Sequence, residues 1–430
     1  MQIKIRHLVY FELIYTLFMM QWMTYFGISN IKVLIPDIVN ILIILAYGKR
    51  VLILSKKQYM SPLPGILIGF LVISILGSFF GETFNTGISG LILGMWDIRI
   101  IFRPFLFLGF CIIFLSRRDV EKIFRLFYKL QFVNVALALF QYYAQGYWMD
   151  VNGGIFAPVQ GCNKYSNVFC SILLIWVLVR YMKGKVGIKQ VLLTCMSTVI
   201  IAIYAELKFL FIEMILLIFL CIIFSGRSSK MFRSILIGAI VAYFGLDLLA
   251  SLFPSSFQIL TDTELFMWYA KDMSYSNTAV SVNRLSGFDV INEYMFKGSI
   301  LRELFGYGWG ATGQIPFLNL YSGLIAAYGS LSYVTFTYSW VYAELGLVGI
   351  VCFYGAIIGC LIPLIKRKNR NDKDGFIVVS KVAVLLVILL SIYDSSWMTE
   401  GTTFLCAFAM AVGYIEIKEQ ENENYKPKTV

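Results

Sequence analysis

The chain has 430 residues, of which 59% are hydrophobic and only 14% charged. A soluble domain carries about 25% charged residues, so this composition excludes a protein whose whole surface faces water and points to lipid as the solvent. The net charge of +11 raises nucleic acid as a partner. The basic residues, however, stand in short clusters between apolar runs, which is the positive-inside pattern of membrane proteins and leaves no role for nucleic acid.

A transmembrane helix needs about 20 mostly apolar residues. Spans are predicted near 8–27, 33–47, 62–80, 98–115, 124–144, 165–182, 189–204, 207–224, 234–253, 341–364, 376–393 and 402–417. No small-residue cleavage site follows the basic start, so the first span is a retained helix and not a signal peptide. With a cytoplasmic start, five basic clusters fall on the cytoplasmic side. They are Lys49/Arg50/Lys56/Lys57, Arg117/Arg118/Lys122/Arg125, Arg180/Lys183/Lys185/Lys189, Arg227/Lys230/Arg233 and Lys366/Arg367/Lys368/Arg370/Lys373. One missed helix would reverse every later cluster. The expected fold is therefore all-α: a polytopic membrane helix bundle of about 12 transmembrane helices, with both termini cytoplasmic.

Residues 189–224 are too long for one crossing of a core about 30 Å thick. Two short helices meeting near Tyr204–Glu206 solve this, and their corner carries Glu206 and Lys208 at the outer face. Four segments result: membrane helices over 1–253, an extracytoplasmic loop over 254–340, membrane helices over 341–417, and a polar, disordered cytoplasmic tail over 418–430. The loop is rich in aromatics (Trp268, Tyr275, Phe288, Tyr294, Phe305, Tyr307, Trp309) and is expected to form short helices on or near the membrane. Of eight cysteines only Cys162 falls in an outer loop, which argues against a disulfide framework, and no metal-type spacing occurs.

Charges at or within spans cost several kcal/mol unless paired or wet, so those on the outer side carry the information. Arg99 and Arg103, spaced i, i+4, share one helix face and suit a phosphate or diphosphate, or else snorkel with Asp97 as partner. Lys208 stands at a helix start where backbone N–H groups also favour anions, unless Glu206 neutralises it. Arg284 lies in a loop, where an arginine is ordinarily just solvated. Leu304-Phe-Gly-Tyr-Gly-Trp-Gly310 offers Tyr307 and Trp309 for stacking on sugar rings, or forms a membrane-resting turn. Glu344 is either a general base or a capping group. The only histidine, His7, is in the cytoplasmic start, so outer-face chemistry must proceed without one.

Five stretches in order resemble the O-antigen ligase/polymerase superfamily, specifically the Wzy-like oligosaccharide repeat-unit polymerases. They are Leu34-Ile-Pro-Asp-Ile38, Ile155-Phe-Ala-Pro through Asn163-Lys-Tyr-Ser-Asn167, Ala205-Glu-Leu-Lys208, Leu304 to Gly310, and Ala343-Glu-Leu-Gly-Leu-Val-Gly349. The resemblance implies a metal-independent glycosyltransferase without cofactor. It would act on undecaprenyl-diphosphate-linked oligosaccharide at the outer face of the bacterial plasma membrane, transferring the growing chain from its lipid diphosphate to the next lipid-linked unit. The product is an O-antigen, capsule or exopolysaccharide, and the partners are membrane lipid and the pathway's flippase and chain-length regulator. By position, Lys208 and Arg284 match the basic pair for the diphosphate, and Arg99 and Arg103 add to it. The His-Asn pair of the ligase branch is missing from Thr335-Phe-Thr-Tyr-Ser-Trp340, which leaves Glu206, Asp289 and Glu344 as candidate bases. A ligase and a lipid-linked oligosaccharide flippase are the alternatives; a flippase needs charges along a central path, whereas here they gather at the outer face.

Overall fold

The computed structural model describes residues 5–28, 30–55, 60, 63–80, 87–226, 231–273, 280–367 and 372–424. Lys56, Lys57, Arg227, Lys230, Lys368, Arg370 and Tyr275 lie outside those residues. The first half runs α1 (Ile5–Ile14), a π-helical turn, α2 (Met20–Tyr25), α3 (Ile35–Ser55), α4 (Leu63–Phe80), α5 (Gly87–Phe114), α6 (Arg117–Gln145), α7 (Asn163–Met182), α8 (Ile188–Tyr204), α9 (Lys208–Ser225) and α10 (Met231–Leu252). Short helices follow: α11 (Pro254–Thr261), α12 (Thr263–Met267), α13 (Gly287–Val290), α14 (Ile300–Phe305) and α15 (Gly323–Tyr328). The chain ends in α16 (Thr337–Lys366), α17 (Phe376–Tyr393) and α18 (Glu400–Asn424). Among the described residues the only sheet is one antiparallel pair, Gln314↔Tyr321 and Ile315↔Leu320.

A helix lies over each of the twelve predicted apolar runs. Seven helices among the described residues have the length and apolarity to cross a membrane: 31–49, 117–145, 163–182, 208–225, 337–366, 376–393 and 400–423. The runs 63–79, 188–204 and 243–252 are apolar but shorter. The molecule is thus an all-α membrane bundle. Nearly every residue of α7 and of α18 up to Ile417 is buried, so these two helices form its axis.

Local signals set the ends. Ser116 caps α6 through the N–H of Asp119, whose carboxylate returns to the Ser116 N–H at 2.9 Å, a reciprocal capping box. Gly146, at φ 70°, ends the same helix. The tail departs from expectation, because α18 continues to Asn424. Glu416, Glu419 and Glu423 fall on one helical face, and Arg117 meets them at 2.5, 3.5 and 2.6 Å. These ion pairs hold residues 418–424 in a helix; 425–430 lie outside the described residues.

The bundle has two unlike ends. At one, Arg180 pairs with Glu121 at 3.3 Å and Asp374 at 3.2 Å, and Lys185 with Asp374 at 2.8 Å. The other end lies about 30 Å away along α7, at 1.5 Å per residue, where Asn163 and Lys164 begin that helix. Residues 280–343 are more than a surface veneer. Val282, Ile291, Phe296, Tyr307, Leu324 and Tyr338 form a second apolar core over the start of α16.

That segment is locked to the bundle by two glycines. α16 breaks at Gly346 (φ 61°, ψ −161°), and a Cβ there would meet the Leu304 carbonyl carbon at 2.4 Å. Reciprocally, a Cβ at Gly306 (φ 67°) would meet the Glu344 carbonyl carbon at 2.4 Å. The carbonyls of Ala343 and Glu344 accept the N–H groups of Tyr307 at 3.1 Å and Gly308 at 2.8 Å. Backbone crosses backbone here, which only residues without a side chain allow.

Candidate functional site

The α8–α9 corner is Ala205-Glu206-Leu207. Glu206 adopts φ 51°, an uncommon conformation for a non-glycine residue. The Leu207 N–H closes α8 on the Ala202 carbonyl at 2.7 Å, and Lys208 opens α9 with no side chain capping its first turn. Glu206 Oε1 accepts from Lys208 Nζ at 2.8 Å and from Ser256 Oγ of α11. The corner is thereby tied to the segment that follows α10.

Arg284 reaches the same place from the other side. Its neighbour Asn283 is fully buried and donates through Nδ2 to the carbonyls of Tyr269 at 3.0 Å and Met273 at 2.9 Å. Asn283 Oδ1 accepts the Arg284 N–H at 2.7 Å. The guanidinium stacks 4.4 Å from the Tyr269 ring centre and 4.7 Å from that of Tyr393, and Nη2 donates to the Tyr269 hydroxyl at 3.0 Å. Its plane is thus fixed by flat partners.

Lys208 and Arg284 both line a cavity of about 540 Å³, within the range of small-molecule sites. Asp150, Lys164, Glu206, Phe336 and Asp394 also line it. Beside it runs an apolar groove of about 220 Å³, walled by Phe209, Ile212, Leu260, Phe266, Leu285 and Leu389. The polar cavity and the apolar groove share four lining residues: Lys208, Tyr269, Arg284 and Tyr393. The two cations therefore stand at a boundary between a wet and an oily compartment. Asp394, just past the end of α17, is driven above the usual carboxylate range by burial, with Lys164 and Arg284 opposing that rise.

Several residues singled out from sequence lie elsewhere. Arg99 and Arg103 are not among the residues lining the cavity. Asp37 of the Pro-Asp element pairs with them at 2.7 and 3.3 Å, and Glu400 also pairs with both. They belong to an ion-pair network joining α3, α5 and α18. Glu344 is fully buried, and its Oε1 accepts the N–H groups of Gly310 at 2.8 Å and Thr312 at 3.4 Å. It braces the glycine crossing and has no access to the cavity. Asp289 is exposed on α13, outside the cavity lining. Tyr307 is 2% exposed, its hydroxyl donating to the Met295 carbonyl, and Trp309 is 9% exposed, its indole donating to Ser74 Oγ. Both rings are core, so neither offers a face for a sugar.

Asp150, Lys164 and Asp394 were not singled out as functional from sequence. Lys164 had a signal, since it lies in the Asn163–Asn167 stretch. Asp394 had a weaker one, a polar Asp394-Ser-Ser396 break between two apolar runs. Comparison with family models and with curated proteins yields no match.

Proposed function

We propose that this protein is an integral membrane glycosyltransferase that polymerises oligosaccharide repeat units carried on undecaprenyl diphosphate. The observation that carries the proposal is the position of Lys208 and Arg284 where the apolar groove meets the polar cavity. A polyprenyl-diphosphate sugar has the same three parts in the same order: an oily chain, a dianionic bridge, and a polar glycan. The groove takes the chain beside the bridge, the two cations take the diphosphate, and the cavity takes the sugar. Preorganised cations stabilise negative charge as it builds on the leaving diphosphate. In this reading the chain crosses the bacterial plasma membrane twelve times with both termini in the cytoplasm, and the cavity opens on the outer face. The gathering of Arg117, Arg180 and Lys185 at the opposite end supports that orientation.

Deleting the gene and sizing the surface glycan tests the proposal. Single repeat units on the cell surface are the expected result. Polymer accumulating on the lipid carrier would make the protein a ligase instead, and units trapped inside the cell would make it a flippase.

A further inference from the structure

We propose that Asp394 is the base that activates the acceptor sugar hydroxyl. The inference rests on the polymerase reading and adds to it the group that takes the proton.

Three carboxylates line the polar cavity: Asp150, Glu206 and Asp394. Glu206 is committed, since Oε1 accepts from both Lys208 and Ser256. Moving a proton onto it would cost the ion pair that steadies the diphosphate cation. Asp150 is exposed and accepts the side-chain amides of Asn163 at 2.5 Å and Gln160 at 3.3 Å. It faces water and two neutral donors.

Asp394 differs on each count. Its backbone is pinned: the N–H donates to the Leu390 carbonyl at 2.8 Å, and the carbonyl accepts from Thr337 N at 2.9 Å and Thr337 Oγ1 at 3.1 Å. Oδ1 accepts the Ser396 N–H at 2.6 Å, which sets the side-chain angle. Both α16 and α17 thus hold the carboxylate against the cavity, and a general base needs such a fixed position first. The charged and titratable groups facing it are Lys164 from α7, Arg284 from the segment before α13, Glu213 from α9, its neighbour Tyr393 and Cys406 from α18. Lys164 is anchored on this side by Ser395 Oγ at 3.0 Å and Thr399 Oγ1 at 3.4 Å. The two cations keep the carboxylate available in its ionised form, while burial makes it more basic than a surface aspartate.

The step balances without any further reactant. The hydroxyl oxygen of the acceptor unit attacks the anomeric carbon of the donor chain. Its proton passes to Asp394 as the new glycosidic bond forms. The bond from the anomeric carbon to the phosphate oxygen breaks, and its electron pair leaves with undecaprenyl diphosphate, held by Lys208 and Arg284. Asp394 then returns the proton to water or to the departing diphosphate.

The test uses the purified full-length protein in phospholipid vesicles, with lipid-linked units extracted from cells lacking the gene. Retention of undecaprenyl diphosphate by each variant is measured in parallel. Asp394→Asn is expected to retain the carrier like wild type while polymerisation falls by about 10²–10⁴-fold, and Asp394→Glu to regain part of the rate. Wild-type polymerisation by Asp394→Asn overturns the assignment and leaves the polymerase reading standing. Wild-type protein that makes no polymer from these units overturns both. If Asp394→Asn loses carrier retention and its thermal transition, the pH profile of Asp394→Glu decides. A displaced acidic limb upholds the assignment, and an unmoved one overturns it.

Discussion

Glu344 Oε1 accepts the backbone N–H of Gly310 at 2.8 Å, so a buried acid on a spanning helix ties down the glycine-aromatic motif of the long connecting segment. The same side chain faces the carboxyl of Asp97 on α5. A glutamine keeps the Gly310 contact through its carbonyl and presents its amide to Asp97. Glu344→Gln should therefore retain near-normal polymer and thermal stability. Glu344→Ala removes a buried acceptor of the Gly310 and Thr312 N–H groups, at a cost of about 1–3 kcal/mol. Thermal unfolding and glycan sizing of the pair check this; loss of polymer in a fully folded Glu344→Gln protein would restore Glu344 as a base.

The diphosphate cations give a second prediction. Lys208→Ala and Arg284→Ala should each lower polymerisation by roughly 10²–10³-fold with normal insertion, as for loss of one preorganised donor. Lys208→Arg should keep part of the activity, because charge survives while geometry changes. Lys271→Ala, at an exposed position in the same connecting segment as Arg284, should be silent. Glycan sizing beside an immunoblot reads all four, and full-length polymer from both alanine variants would assign the pair a structural role.

Backbone crossing predicts an asymmetry among the glycines of α16. Gly346→Ala places a methyl group 2.4 Å from the Leu304 carbonyl carbon at φ 61°, ψ −161°, an essentially glycine-only conformation that alone costs about 1–3 kcal/mol. Gly355→Ala on the same helix meets nothing within 4 Å. The first should sharply reduce the yield and melting temperature of the purified protein. The second should leave both unchanged or higher.

The acidic limb of the activity profile should respond to Lys164. Asp394 acts as a base only when ionised, so activity falls as pH drops through its pKa, which burial holds above that of an ordinary aspartate. Lys164 favours the ionised form, so Lys164→Gln raises that pKa and moves the limb to higher pH. Rate against pH for the two proteins checks the direction; an unmoved limb means that Lys164 does not act on the titrating group.

Topology is open to cysteine labelling, because among the eight native thiols seven are buried and Cys352 is half-buried. Lys271→Cys and Lys373→Cys both replace exposed side chains. An impermeant reagent added to intact cells should label the first, and should label the second only after permeabilisation. Label at 373 from outside would reverse the orientation.

Run length and charge placement are local properties, and they were enough to determine a helical membrane bundle, the position of each long apolar helix and the tight turn at Ala205–Leu207. A span's place follows from where hydrophobicity gathers, and a corner follows from a run too long for one crossing. The partners of the charges were a different matter. From sequence Arg99 and Arg103 suit a phosphate or a pairing with Asp97, and Glu344 suits a base or a cap; helix packing gave the arginines Asp37 and Glu400, and gave Glu344 the Gly310 N–H and the neighbourhood of Asp97. Tyr307 and Trp309 sit in a motif that suits either a sugar or a core, and the close approach of Gly306 to α16 put them in the core. Conversely, Asp394 is unremarkable in the chain and became a cavity residue because α7, α9 and the segment around Arg284 converge on it. A charge near a helix end has the same sequence signature whether it faces a substrate or a countercharge, and the choice depends on residues hundreds of positions away.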